Sequence, residues 1–399
     1  MKILVTGSNG FVGRNLIVVL KQVGYADEDV LCYDIDKSFD DLIDYVEQAD
    51  FVIHLAGVNR PQSVEEFKTG NMDLTAKLVE LLLATDKKPP LLLSSSIQAV
   101  LENPYGASKL GAEVAVAEYS RRGGRGIIFR LPNVFGKWCR PNYNSAVATF
   151  CYNISHDLPI LISDRSNKVN LVYIDDVVRA FVHEVERCAL GRAENSAYGA
   201  LGRTGSSALG IGEVNDVELG MVEWGEVSPV ITTTVGELAD LIYSFQANRL
   251  TKIMPDLSNY FTKCLYSTYL SYLEKDNFSY ALNTKSDERG WLAELIKSEQ
   301  FGQVFVSKTK SGITRGNHYH NTKVEKFCVI SGSGIIRFRH ISDNAIICYE
   351  VNDADLRVVD IPPGYTHSIE NTGLDEMITL FWSNEIFDSL LPDTYWEIV

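Results

Sequence analysis

Short apolar runs at 3–6, 30–33, 51–55, 91–95 and 127–131 are rich in Val, Ile and Leu without polar alternation, which reads as strands buried on both faces. The segments between them are long enough for crossover helices, so this half of the chain is expected to be α/β, with a doubly wound parallel sheet of Rossmann type. Helical periodicity returns at 235–248, and a Tyr/Leu-rich segment at 265–273 precedes a change of pattern. From about residue 278 the runs shorten and alternate, at 302–307, 325–331, 334–340, 356–361 and 377–382, with Gly, Asn, Asp and Pro turns between them. That pattern predicts an all-β sandwich or barrel. The boundary is expected near residue 272, giving domains 1–272 and 273–399. The segment 195–225, rich in Gly, Ser and Ala with little periodicity, reads as a long surface loop.

The length of 399 residues agrees with two domains. Lys and Arg total 37 against 52 Asp and Glu, a net charge of −15 with no segregated basic patch, which argues against a nucleic-acid partner. Seven cysteines without a Cys-x-x-Cys pair fit reduced thiols in a cytoplasmic protein rather than a disulfide framework. The apolar run at residues 1–5 is too short for a signal peptide, and no stretch approaches the roughly 18 apolar residues of a membrane span.

Gly7-Ser8-Asn9-Gly10-Phe11-Val12-Gly13 follows the first strand and opens the first helix. Glycines there permit a tight turn and let backbone N–H groups approach a pyrophosphate. Asp34 and Asp36 end the second strand, where an adenosine ribose would sit. Asp34 favours NAD(H) through a ribose hydroxyl, whereas Lys37 suits the 2′-phosphate of NADP(H), and the sequence leaves both open. Tyr105 and Lys109, four apart on one predicted helix, share a face, so the ammonium can ease ionisation of the phenol. Ser94-Ser95-Ser96 ends the preceding strand and can offer a hydroxyl to a carbonyl oxygen.

The glycine turn, His54-Leu55-Ala56-Gly57, the serine triplet, Tyr105/Lys109 and Arg130-Leu131-Pro132-Asn133-Val134-Phe135-Gly136 together resemble the extended short-chain dehydrogenase/reductase family. By that resemblance Tyr105 is the general acid/base, Lys109 its partner and Ser96 the hydroxyl donor. Gly7, Asn9, Gly10, Phe11, Val12, Gly13, Asp34, Lys37, Leu55, Ala56, Gly57, Tyr105 and Lys109 are implied to hold the cofactor. Asn133, with Arg140, Asn142 and Asn144 in the following loop, is implied to contact a nucleotide-sugar. Ser94 and Ser95 read as strand-end structure, and His54 as a side chain packed beside the cofactor. Members that dehydrate their substrates carry an acidic pair just after the hydroxyl donor; Ile97 and Gln98 stand there instead, leaving reduction or epimerisation.

In the second half, His318-x-His320 on a strand puts two imidazoles on one face, and Glu325 and His367 complete an N₃O set suited to zinc or another divalent metal. Residues 316–332 and 362–371 resemble both halves of the cupin motif, implying a jelly roll. Asp287-Glu288-Arg289-Gly290-Trp291 and 312–318 also resemble metal-free cupins that epimerise 4-keto-deoxysugar nucleotides, in which His318 would be the base. His320 is a ligand type, which favours metal, and a coordinated His318 is not free to take a proton. Lys326, Arg337, Arg339 and His340 are candidates for substrate contact, though a solvated strand face is the favoured reading for each.

The two domains in this order resemble the bifunctional enzymes of capsular polysaccharide and O-antigen synthesis. That resemblance implies a homo-oligomer, dimer or tetramer. It also implies C3 epimerisation, then NADPH-dependent C4 reduction, of a UDP-linked 4-keto-6-deoxy-N-acetylhexosamine toward UDP-N-acetyl-L-fucosamine. A plain 4-keto reductase with a non-catalytic, sugar-binding cupin, and an NAD-retaining 4-epimerase, are the alternatives. Against the net charge of −15, the helix start after Gly10 and the side chains of Lys37, Arg130 and Arg140 are expected to draw in anionic ligands.

Overall fold

The computed structural model describes residues 1–190, 219, 221–275 and 277–399, so most of the expected loop at 195–225 lies outside the described residues. The chain forms two compact units, one of Met1–Asp240 with Ser267–Tyr272 and one of Leu241–Tyr266 with Leu273–Val399. The last change of unit falls between Tyr272 and Leu273, but 241–266 groups with the second unit. Backbone bonds explain this grouping: Lys297 N donates to Lys252 O and Met254 N to Lys297 O, each at 2.7 Å.

The first unit is built on six parallel strands in the order Val30–Tyr33, Ile3–Thr6, Phe51–His54, Leu91–Ser96, Gly126–Leu131 and Glu223–Gly225. Alternate residues of one strand serve opposite faces. Ile3 and Val5 pack with Leu16, Leu20, Val177 and Phe181, whereas Leu4 packs with Leu78, Leu82, Val116 and Tyr119. Both faces are therefore covered by helices, as a doubly wound sheet requires. Strand order reverses beside Ile3–Thr6, which opens a crevice at the carboxyl ends of that strand and Phe51–His54. A second, three-stranded sheet of Asn133–Phe135, Lys168–Tyr173 and Ile231–Thr234 was not legible in the apolar runs, because its strands are mostly half-exposed and polar.

The second unit stacks two antiparallel sheets. One runs Thr284–Asp287, Gly290–Ser298, Gly302–Thr309, Met377–Ser383, Glu325–Ser331 and Val359–Ile361; the other runs Ile346–Asn352, Ser333–His340, Tyr365–Asn371, Thr314–Tyr319 and Tyr395–Trp396. Phe327, Phe338, Ile336, Ile369 and Phe381 fill the space between them, the jelly-roll arrangement of a cupin. The strand expected at 356–361 is shorter: Leu356 and Val358 are exposed, and pairing begins only at Val359. All seven cysteines are free thiols. No described helix is long and apolar enough to cross a membrane.

Candidate active sites

Gly7 has φ +70°, and a Cβ there would lie 2.7 Å from Ala56 N, so the turn closes onto the 55–57 segment as only glycine allows. Helix Phe11–Gln22 then begins at Gly10 without a side-chain cap, leaving its first N–H groups open to an anion. Asp34 accepts from Asn9 N at 2.7 Å and from Ile35 N at 2.8 Å, which fastens the turn to the end of the second strand. Ile35 projects fully into solvent beside it, at 99% exposure, and Lys37 is also exposed. Gly57 continues the cradle: a Cβ there would meet Asn71 Oδ1 at 2.6 Å and Lys109 Nζ at 3.4 Å. The nucleotide turn, Leu55-Ala56-Gly57 and Lys109 are thus consecutive parts of one lining.

Asn103 caps helix Pro104–Arg121 by accepting from Gly106 N, with Pro104 at the first helical position. This start places Tyr105, Lys109 and Glu113 at successive turns of one face. Lys109 Nζ lies 5.9 Å from the Tyr105 ring centroid and donates to Ser94 O at 3.3 Å. Burial lowers the Lys109 ammonium to about 8, against an upward pull from Glu113. Burial raises the Tyr105 phenol, and a hydrogen bond with Ser96 works in the opposite direction. Ser96, Tyr105 and Lys109 therefore form one constellation, with a phenol that holds its proton at neutral pH beside a cation.

Three residues of this region, Asn71, Glu113 and Trp224, belong to no motif. Asn71, buried in the π-helical stretch Lys68–Asp73, accepts from Val58 N at 2.8 Å and donates to Ser108 Oγ at 3.0 Å, which holds the 57–58 segment against the Tyr105 helix. Glu113 is fully buried and receives Arg130 through two bonds, of 2.9 and 2.5 Å, and Ser95 Oγ at 2.6 Å. Its spacing, four residues after Lys109, was the available clue. Trp224 covers Arg130 at 4.7 Å. The expectation that Arg130 attracts anionic ligands is corrected here, because its charge is matched by Glu113 and its face covered by Trp224. His54, as expected, packs: its ring nitrogens engage Thr6 and Thr75 hydroxyls at 2.6 and 3.0 Å, and burial pushes it down to about 3, so it is neutral.

Asn142 and Asn144 line a cavity of about 460 Å³ together with Arg60, Tyr143, Thr149, Ile162 and Asp164. Arg140 and Arg60 both stand over the Tyr143 ring, at 4.9 and 6.0 Å. Asn133 is exposed and donates to Asn170 O at 3.3 Å.

In the second unit, His318 and His367 are opposed across an antiparallel pair whose register shifts at Asn317. His320, Glu325 and His367 are buried, and one ligand atom from each of the four residues lies within 4.8 Å of all the others. His367 Nε2 is 3.4 Å from Glu325 Oε2 yet makes no hydrogen bond and is buried without a partner. Burial alone would raise the Glu325 carboxyl, but the adjacent His320 and His367 rings and the charge of Lys323 hold it well below the usual range. Burial, reinforced by His367 and His320, lowers His318 to about 4. A converging set of three imidazoles and one carboxylate, with an orphaned buried nitrogen among them, fits a divalent cation better than a hydrogen-bonded network. Around this set, Lys326 pairs with Asp360, Arg337 with Glu370 and Arg339 with Glu397, while His340 packs edge-on to Tyr365. Asp287 and Arg289 pair with each other across the first turn of the unit.

Comparison with known proteins divides along the same line. Residues 3–197 match the NAD dependent epimerase/dehydratase family, and residues 285–395 the polysaccharide biosynthesis C-terminal domain. The whole chain is similar to a UDP-2-acetamido-2,6-beta-L-arabino-hexul-4-ose reductase of Pseudomonas aeruginosa, 42% identical over 396 residues, 99% of this chain and 98% of that one. It is also similar to the crystal structure of the capsular polysaccharide assembling protein CapF from Staphylococcus aureus, 44% identical with a TM-score of 0.85 over 100% of both chains. UDP-glucuronic acid 4-epimerase from Bacillus cereus shares the fold of the first part, at 19% identity and a TM-score of 0.50, covering 68% of this chain and 98% of that one.

Proposed function

The chain belongs to the family of the UDP-2-acetamido-2,6-beta-L-arabino-hexul-4-ose reductase of P. aeruginosa and of CapF from S. aureus, and from that premise we propose a bifunctional nucleotide-sugar enzyme for it. It epimerises C3 and reduces the C4 ketone of a UDP-2-acetamido-2,6-dideoxy-4-hexulose, on the route to UDP-N-acetyl-L-fucosamine for capsular polysaccharide or O-antigen. The reading rests on one observation: Ser96, Tyr105 and Lys109 meet beside a nucleotide cradle, and the same chain carries a separate, buried His318/His320/Glu325/His367 set.

We assign reduction to residues 1–272 and epimerisation to 273–399. The turn Gly7–Gly13 holds the cofactor pyrophosphate on the open N–H groups of the first helix. Asp34 is occupied in fastening that turn, and the exposed Lys37 suits a 2′-phosphate, so the cofactor is NADPH. Ser96 and Tyr105 bind the C4 oxygen, and Tyr105 delivers the proton that completes the alcohol while Lys109 balances the charge left on the phenol. Asn133, Arg140, Asn142 and Asn144, with Arg60, hold the nucleotide part of the substrate. His318, His320, Glu325 and His367 would hold zinc. When bound, the nicotinamide supplies hydride and the divalent ion Lewis acidity.

Removal of the C3 proton next to a ketone makes an enolate, and reduction of C4 ends the exchange and traps the new configuration. The edge strand Ile346–Asn352 exposes Ile346, Ile347 and Tyr349, which supports assembly into a homo-oligomer. Free thiols fit a cytoplasmic setting. The test is to supply the UDP-linked 4-keto sugar with NADPH and compare cofactor oxidised with product formed. One equivalent per product, with inverted C3, is expected; turnover without net NADPH consumption would point to a hydride-recycling 4-epimerase.

A further inference from the structure

The segment 393–397 has no place in the cupin motif, yet it touches the backbone or side chains around three of the four proposed ligands. His320 Nδ1 donates to Asp393 O at 2.5 Å. The Asp393 carboxylate accepts from Asn321 N at 2.9 Å, from Thr322 N at 2.7 Å, from Lys323 N at 2.8 Å and from Thr322 Oγ1 at 2.9 Å. Tyr395–Trp396 pairs with the His318–Tyr319 backbone, and Tyr395 stacks on Tyr319 at 5.2 Å. Glu397 N donates to Asn317 O, and Glu397 O accepts from Thr366 Oγ1, one residue before His367. A single carboxylate thus gathers three consecutive N–H groups of the turn between His320 and Glu325. Its own carbonyl meanwhile fixes which nitrogen of His320 carries the proton.

We infer that Asp393 is a positioning residue for the cation site: its carboxylate locks the 321–323 turn and its carbonyl holds His320 with Nε2 unprotonated and turned toward Glu325. The chemistry is that of an outer partner that sets the tautomer and ring orientation of a ligating histidine. His320 Nε2 lies 3.2 Å from Glu325 Oε2, and with the ring proton on Nδ1 these two acceptor atoms face each other at a spacing a shared cation would bridge. Without the carboxylate the three N–H groups lose their common acceptor, the Asp393 backbone loses its anchor, and the imidazole is free to rotate. Burial by itself would raise the Asp393 carboxyl, but those backbone bonds hold it far below the usual range, so it stays anionic throughout the working pH.

This inference rests on the divalent-cation reading of the four ligands, and its test separates the two. Full-length wild type, Asp393→Ala and Asp393→Asn are stripped and titrated with Co²⁺ alone, against a competing chelator, following the visible absorption of the bound ion. Asp393→Ala is expected to bind about 10- to 100-fold more weakly, with an altered visible spectrum. Asp393→Asn, which keeps one acceptor oxygen, should recover part of both. If wild type binds Co²⁺ tightly and Asp393→Asn and Asp393→Ala bind it with the same affinity and spectrum, the positioning role is overturned. If wild type itself fails to bind Co²⁺, the cation reading falls, and this role with it. Should Asp393→Ala not fold, the Asn variant decides, since loss of affinity with an intact thermal transition supports the role and unchanged affinity refutes it.

Discussion

Tyr105 and Lys109 stand one helical turn apart, with the ammonium 5.9 Å from the phenol ring centroid and burial acting on both in opposite directions, raising the phenol and lowering the amine to about 8. In reduction the phenol must arrive protonated and the amine must be charged. The rate of NADPH oxidation should therefore hold through neutral pH and fall as pH rises through about 8, when Lys109 loses its proton. Steady-state rates across pH 6.5 to 9.5 at saturating substrate check this. A profile still flat at about pH 9 would show that the Lys109 charge is not used.

The same buried lysine gives a stability signature. Its folded value lies below the unfolded one of about 10.4, so the unfolded chain binds the extra proton between them and stability rises with pH from about 8 to 10.4. Lys109→Met removes the titration, and its unfolding free energy should lose this part of the pH dependence in urea melts.

Glu113 and Arg130 make a doubly bonded ion pair inside the first unit, with Glu113 fully inaccessible. Arg130→Met strands a buried carboxylate and should cost on the order of 3 kcal/mol in urea unfolding. Adding Glu113→Gln should recover part of that loss. Were Arg130→Met as stable as wild type but weak in substrate affinity, Arg130 would be a ligand contact after all.

For the second unit, removal of metal should lower its thermal midpoint, and readdition of zinc at about 100 times its Kd should restore roughly 2.7 kcal/mol. His320→Ala should abolish that response and the C3 exchange together. It should leave cofactor binding by the first unit unchanged, measured by quenching of protein fluorescence with NADPH.

Much of this architecture is legible in the sequence because its signals are local. The buried parallel strands declare themselves as apolar runs, the cradle as glycines after a strand, and the His/Glu cluster of the second unit as His318 and His320 two apart with Glu325 and His367 at motif spacing. What escaped depends on contacts distant in sequence. Arg130 looks like a free cation until Glu113 and Trp224 are brought against it. Arg60 has no motif, yet it lines the same cavity as Asn142 and Asn144, more than eighty positions on. Asp393 is seventy-three residues from the histidine it orients, too far for any periodicity to register. Strands such as Lys168–Tyr173, the middle strand of the second sheet, escape for a different reason, since a half-exposed strand has no long apolar run to detect.

If two sites in one chain divide the chemistry, C3 deuterium incorporation from D₂O into the UDP-linked 4-keto sugar by Tyr105→Phe separates them. This variant is expected to exchange C3 at the wild-type rate while NADPH oxidation falls by at least about 100-fold. Loss of both activities in a folded Tyr105→Phe protein would contradict that division.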